Sequence, residues 1–84
     1  MERYLVESTH TAEDCHHVVE QFIIHGHIIN FDWGCQAGVH TGWAIIEAEN
    51  EGQAKQTVPS RLRAKTRAIW LCKFTPQTIE KQHE

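Results

Sequence analysis

The sequence lacks the features of several functional classes. Its 84 residues include three cysteines and no Cys-x-x-Cys pair, which excludes a zinc knuckle of paired cysteines and argues against a disulfide framework. No stretch approaches the roughly 18 apolar residues that a membrane span needs. The start of the chain, MERYLVES, has neither the basic nor the apolar segment of a signal peptide. We therefore expect a soluble, cytoplasmic protein with reduced thiols.

An excess of positive charge is also missing. The formal net charge is -3, and the one basic cluster is formed by Arg61, Arg63, Lys65 and Arg67, which is typical of a solvated surface. The segment GWAIIEAE lacks the aromatic and basic pattern with which small α+β modules bind RNA. These absences predict no nucleic-acid partner.

The composition is that of one small globular domain spanning residues 1–84. Hydrophobic residues make up 40% and charged residues 23%, with neither repeats nor low-complexity segments. A chain of this length buries only about 60 to 65% of its unfolded surface, so its core is small. Self-association would add burial.

The first half of the chain predicts a strand followed by a helix. Tyr4–Ser8 alternates in polarity, and Thr11 with Asp14 three positions later is a helix-starting pattern. Apolar residues then recur with helical spacing, and Gly26 is placed to end the helix. The members of this apolar stripe are Cys15, Val18, Val19, Phe22 and Ile23.

The second half predicts a hairpin, a helix and a strand. Residues 28–36 and 42–48 are rich in β-branched and aromatic side chains and are joined by a short turn around Gly38, and Trp33 and Trp43 are expected to stack across them. Asn50 and Gln53 form a capping pattern for a second helix, which Pro59 interrupts. Residues 67–74 are strand-like, and Thr75 with Pro76 predicts a short C-terminal helix.

This order of elements, β-α-β-β-α-β, predicts an α+β protein with the ferredoxin-like fold. In that fold a four-stranded antiparallel sheet carries both helices on one face. The alternation of strand side chains leaves Leu5, Trp43, Ile45 and Leu71 on the other face. An apolar patch of this size predicts a homodimer in which a partner subunit covers it. The polar residues on that face, Glu7, Glu47 and Lys73, are expected either at the rim of this interface or, with Trp43, lining an enclosed ligand pocket.

The hairpin contains the segments FDWGC (31–35) and HTGWAI (40–45), which resemble segments of known proteins. The whole chain resembles the dimeric α+β barrel group of ferredoxin-like proteins, and especially small stand-alone bacterial proteins of unassigned function. The group includes small oxygenases, isomerases and binders of ligands or metals. The resemblance therefore implies a pocket enclosed by two subunits and transfers no catalytic motif.

Three residues outside that pocket are candidate metal ligands. His10 follows the first strand, and Cys35 and His40 flank the hairpin turn; imidazole and thiolate bind zinc, nickel or copper. The alternative is exposed loop histidines and a structural thiol, since the two loops lie at opposite ends of the sheet in some arrangements. Cys15 on the apolar stripe is interpreted as a small core residue.

Two functional hypotheses follow. The first is a homodimeric protein that binds a small ligand or a transition metal, zinc or nickel, at the sheet face or the hairpin tip. The second is a cofactor-independent oxygenase or isomerase in which Glu7, Glu47 or His40 serves as the base. The sequence leaves open whether the protein is an enzyme.

Overall fold

The computed structural model describes residues 1–77, which form an α+β fold. The strands are β1 (Glu2–Thr9), β2 (Asp32–Trp33), β3 (Thr41–Ala48) and β4 (Thr66–Leu71), and the helices are α1 (Cys15–Ile24) and α2 (Glu51–Ala54). Short 3-10 helices occupy Ile28–Asn30, Cys35–Ala37, Lys55–Thr57 and Ser60–Lys65. The predicted α+β class is confirmed. Most of the predicted C-terminal helix after Pro76 lies outside the described residues.

The strands form one antiparallel sheet in the order β2-β3-β1-β4. β1 pairs with β3 from Glu2 opposite Ala48 to Thr9 opposite Thr41, and on its other edge it pairs with β4. The predicted four-stranded antiparallel sheet is therefore confirmed. None of the helices in residues 1–77 has the length and apolar character to cross a bilayer.

The core lies between one face of this sheet and the helices. Alternate residues of β1, including Tyr4 and Val6, are buried, as the alternation of polarity predicts. From α1, Val18 and Phe22 pack against them, one turn apart on the same helical face. Ala54 of α2 and the nearby Val58 belong to the same core, so α1 and α2 cover the same side of the sheet.

α1 ends before Gly26 as its sequence predicts, but it begins only at Cys15, after an N-cap, Asp14, whose side chain forms no capping hydrogen bond. The Thr11 hydroxyl donates to Asp14 Oδ2 at 3.0 Å, and a turn over 12–14 leads into the helix. At the other end the amide of His27 donates to the carbonyl of Phe22, and Gly26 adopts a left-handed φ of +76°. This is the Schellman arrangement that favours glycine after a helix.

β2 is much shorter than the strand predicted over 28–36. Ile28–Asn30 turns as a 3-10 helix, and only Asp32 and Trp33 pair with β3. Pairing stops at Gly34, where the chain turns back and the Gly34 amide donates to the carbonyl of Thr41. The β-branched side chains therefore failed as a strand signal because the connection from α1 to the sheet edge needs a turn.

The second predicted helix is reduced to the single α-turn of α2. Asn50 caps it as expected, because its side chain accepts from the Gln53 amide at 2.8 Å. Val58 is extended, with φ -109° and ψ 134°, the conformation favoured before a proline. The i+4 stripe still faces the core through Ala54 and Val58, although the helix itself is not continuous.

Candidate metal centre

Three separate segments of the chain converge at one end of the sheet. His10 follows β1, Cys15 is the first residue of α1, and Cys35 and His40 lie on either side of the turn between β2 and β3. Each of the four offers one ligand atom, and these atoms all lie within 4.8 Å of one another. The structure thus brings together the three predicted ligands His10, Cys35 and His40 and adds Cys15.

Backbone hydrogen bonds hold the two histidine-bearing loops together. The register of β1 and β3 places Thr9 opposite Thr41, and the next amide, that of His10, donates to the carbonyl of His40 at 3.0 Å. The hairpin turn is closed by the Val39 amide, which donates to the carbonyl of Gly34 at 2.9 Å. The positions of the ligands therefore follow from backbone pairing rather than from flexible side chains alone.

Cys15 joins the cluster because of its position at the start of α1. Side chains in a helix are tilted toward its N-terminus, so the first residue is directed back toward the preceding loop. That loop begins at His10. Cys15 is half-buried rather than packed in the core, so its interpretation as a small core residue was wrong.

The signal that would have found Cys15 is a matched spacing. The chain contains HTAEDC, a His-x4-Cys pair, and CQAGVH, a Cys-x4-His pair. In each pair four residues separate a histidine from a cysteine, and each pair therefore supplies one imidazole and one thiol. The absence of Cys-x-x-Cys excludes paired-cysteine knuckles but leaves this arrangement open.

Aromatic residues wall the cluster on its core side. The Trp33 ring lies 6.1 Å from that of His10 and packs edge-on against Phe22 at 4.8 Å, with Phe31 behind it. Trp33 also covers Gly42, where a Cβ atom would lie 2.7 Å from the indole ring. Trp33 lies opposite Gly42 in the sheet, and Trp43 lies opposite Asp32. Because neighbouring residues of a strand point to opposite faces, the two indoles lie on different faces of the sheet, and the expected stacking between them is absent.

The side chains of the cluster are already in contact. His10 Nε2 lies 3.4 Å from Cys35 Sγ, and the rings of His10 and His40 are 5.5 Å apart. The Nδ1 atoms of both histidines are buried and have no hydrogen-bond partner among residues 1–77. Buried polar atoms normally have a partner, so these two Nδ1 atoms mark a polar site whose hydrogen bonding is incomplete.

Burial shifts the pKa values of two of these residues, His10 and Cys35. It lowers the pKa of His10, and the charge of the nearby His40 lowers that pKa further, although Asp14 opposes the shift. Burial raises the pKa of the Cys35 thiol, and the neighbouring Cys15 adds to that effect. His10 is therefore neutral at pH 7, the form in which imidazole binds metals, whereas a metal must displace the proton of Cys35.

The donor set fits a tetrahedral zinc ion. Zinc binds thiolate sulfur at about 2.3 Å and imidazole nitrogen at about 2.0 to 2.1 Å, so its four ligand atoms lie about 3.3 to 3.8 Å apart. The contact between His10 and Cys35, at 3.4 Å, already meets this spacing. The widest separation of 4.8 Å needs a contraction of about 1 Å, which side-chain rotation can supply.

Of the predicted sheet-face pocket, the structure connects Glu7 and Trp43. Glu7 Oε2 accepts from the Trp43 indole at 3.1 Å, and Glu7 Oε1 accepts from Arg67 Nε at 2.8 Å. Glu47 is exposed opposite Arg3 on β1, and Lys73 is exposed beyond the end of β4. Neither Glu47 nor Lys73 hydrogen-bonds to Glu7 or Trp43 in the part of the chain that the structure describes.

The histidines of α1 and its C-terminal end stand apart from the cluster. His16 is exposed and lies 3.6 Å from the carboxylate of Glu20, one helical turn away. His17, His25 and His27 belong to no group of metal-binding side chains within residues 1–77. His17 and His25 are exposed, and His27 is half-buried.

Replacing Glu7 by Gln is expected to reduce the acid sensitivity of the fold. The Arg67 hydrogen bond, followed by that of Trp43, lowers the pKa of Glu7. A carboxylate whose pKa is lowered by folding stabilises the protein above its unfolded pKa of about 4.3 and loses that contribution as pH falls. Urea unfolding between pH 7 and pH 3 should therefore show Glu7→Gln less stable than wild type at pH 7, with the difference in stability shrinking as the pH falls.

The control for this prediction is Glu13→Gln, which removes an exposed carboxylate that forms no ion pair within residues 1–77. Its stability should follow that of the wild type at both pH values. A constant difference between wild type and Glu7→Gln across the pH range would contradict the assignment.

Comparison with known proteins leaves the resemblance to the dimeric α+β barrel group a prediction. That resemblance rests on the hairpin segments and the order of elements. No protein-family model, curated protein or solved structure matches this chain.

Proposed function

We propose that this protein binds one zinc ion per chain through His10, Cys15, Cys35 and His40. The observation that carries the proposal is the convergence of two imidazoles and two thiols, with all four ligand atoms within 4.8 Å. Two cysteines and two histidines are a donor set that zinc uses in structural sites. A tetrahedral site with two sulfur and two nitrogen donors is typical of zinc, whereas nickel and copper(II) favour square-planar or tetragonal sites with nitrogen and oxygen donors.

The number of protein ligands supports binding rather than catalysis at the metal. Four protein ligands complete the tetrahedral coordination of zinc, whereas catalytic zinc sites keep one position for water or substrate. The ligands come from β1, α1 and the hairpin. Bound zinc would therefore cross-link the stretch from His10 to Cys15 with the distant hairpin stretch from Cys35 to His40, which stabilises a domain with a small core.

The alternative, a cofactor-independent enzyme, is less well supported by the geometry. It requires a carboxylate that accepts a proton near neutral pH in an enclosed apolar pocket. The carboxylate of Glu7 is instead stabilised by Arg67 and Trp43, which lower its pKa and make it a weaker base. His40 lies in the proposed zinc site.

We also propose that the chain has the ferredoxin-like fold and forms a homodimer. The strand order β2-β3-β1-β4, with a helix in each connection between parallel strands, supports the ferredoxin-like arrangement. The face of the sheet away from α1 carries Leu5, Trp43, Ile45, Ile69 and Leu71, and Ile45 is 61% exposed. We infer that a second copy of the chain covers this face.

Native mass spectrometry of the untagged protein, purified in the presence of zinc, tests these proposals together. We expect a dimer that carries one zinc ion per chain. Cys35→Ser should lose the metal because serine is a poor zinc ligand. Cys72→Ser is the matched control, since Cys72 is exposed and lies outside the cluster; it should retain the metal.

The two proposals fail separately in this experiment. A wild-type dimer without zinc, or a Cys35→Ser variant that keeps it, would overturn the zinc site. A monomer at micromolar concentration that still carries zinc would overturn the proposed partner while leaving the metal site in place.

A further inference from the structure

The basic run near the end of the chain is divided by the structure into two parts. Arg63 Nε donates to the carbonyls of Lys55 and Val58, and Arg67 pairs with Glu7 on the other face of the sheet. Arg61 and Lys65 are exposed, and neither side chain forms a hydrogen bond or ion pair within residues 1–77. Two of the four cations are therefore available to a ligand.

Both of these cations line a cavity of about 250 Å³ beside the proposed zinc site. The cavity lies between the end of β1, the first turns of α1 and the 3-10 helix Ser60–Lys65. Val18 and Leu62 supply apolar surface, and His10 is shared with the metal cluster. The combination of apolar walls and a few polar groups is typical of small-molecule sites.

The charges around the cavity favour an anion. Arg61 and Lys65 are unpaired, whereas Asp14, the one carboxylate on the lining, already accepts the hydroxyl of Thr11. His17 also lies on the lining, so together with His10 two imidazoles stand beside the two cations. A ligand with a carboxylate would meet these cations in charge-assisted hydrogen bonds.

We propose that this cavity binds a small organic carboxylate, with its apolar part against Val18 and Leu62 and its carboxylate at Arg61 and Lys65. The volume is below the range of about 300 to 1,000 Å³ that is usual for drug-sized ligands, so a single ring or a short chain is the appropriate size. The apolar walls favour an organic acid over inorganic phosphate, which has no apolar part to bury. This proposal extends beyond zinc binding, and the two sites share only His10.

Benzoate is the probe for the test, with benzamide as its uncharged analogue. Titration of the full chain, zinc-loaded and zinc-free, is followed by amide chemical shifts. We expect saturable shifts at the start of α1 and over 60–65, and binding of benzamide weaker by about tenfold or more because the charged hydrogen bonds are lost. The variant Arg61→Gln/Lys65→Gln should weaken benzoate binding to a similar extent, whereas Lys55→Gln, outside the cavity, should not.

Several results would overturn the carboxylate site. They are the absence of saturable benzoate binding up to about 10 mM, equal affinities for benzoate and benzamide, and unchanged affinity in the double variant. Inorganic phosphate binding as tightly as benzoate would also overturn it, because that result indicates an anion site with no use for the apolar walls. The zinc content of the same samples is measured separately, so failure here is distinguishable from failure of the zinc site.

Discussion

Saturating zinc is expected to raise the free energy of unfolding of the wild-type chain by about 4 kcal/mol when free zinc is 1,000-fold above its dissociation constant. A ligand that binds only the folded state stabilises it by this amount, and the four donors converge only in the fold. Unfolded cysteines and histidines also bind zinc, so the measured value will be somewhat smaller. Urea unfolding with zinc and with a chelator measures the difference.

The variants of the cysteines distinguish a specific site from general zinc binding. Cys35→Ser should have the same stability with zinc as with chelator, and Cys15→Ser should behave alike because both thiols belong to the cluster. Cys72→Ser should keep the full response. An equal zinc response in all three variants would show that zinc stabilises the protein elsewhere.

Replacing Gly42 by Ala is expected to destabilise the fold and weaken zinc binding together. The new Cβ would lie 2.7 Å from the Trp33 ring, a separation that forces the indole to move. Overpacking of this kind costs about 1 to 3 kcal/mol. Because Trp33 packs beside His10, its displacement disturbs the wall of the proposed metal centre. Urea unfolding in chelator and a competitive zinc titration measure the two effects.

Gly52→Ala is the matched control for this substitution. Gly52 lies in α2, where a Cβ would meet only Asn50 Oδ1 at an ordinary 3.4 Å. Alanine favours a helix over glycine by up to about 1 kcal/mol, so this variant should be neutral or slightly more stable. If Gly42→Ala matched Gly52→Ala in stability and zinc affinity, the coupling between Trp33 and the metal site would be refuted.

Much of the candidate site was predictable from residue chemistry, and one ligand was not. His10, Cys35 and His40 were identified because imidazole and thiol groups in loops are candidate ligands. Cys15 was assigned to the apolar stripe of α1, since its spacing from Val18 and Val19 fits a core face. Helical periodicity does not distinguish a core residue from the first residue of the stripe, Cys15, which lies beside His10 in the metal cluster.

The lengths of the strands and helices were also predicted only in part. The predicted strand over 28–36 shrank to Asp32–Trp33 because β-branched residues report only a preference, and the connection from α1 required a turn there. Val58 is extended before Pro59, as the proline predicts because its ring constrains the preceding residue, although α2 already ends at Ala54. Local steric effects were thus easier to predict than the extent of pairing.

The sequence by itself determined which faces are buried and where α1 ends. Tyr4 and Val6 alternate, Val18 and Phe22 are one turn apart, and Gly26 ends α1, all through short-range geometry that each segment carries alone. Only the tertiary structure decided that His10 and Cys15 meet Cys35 and His40. That meeting depends on the antiparallel register of β1 and β3, which sets Thr9 opposite Thr41 and joins residues far apart in the chain. This register is fixed when the strands bury a common face against the helices, which requires strands that are far apart in the chain to be packed together.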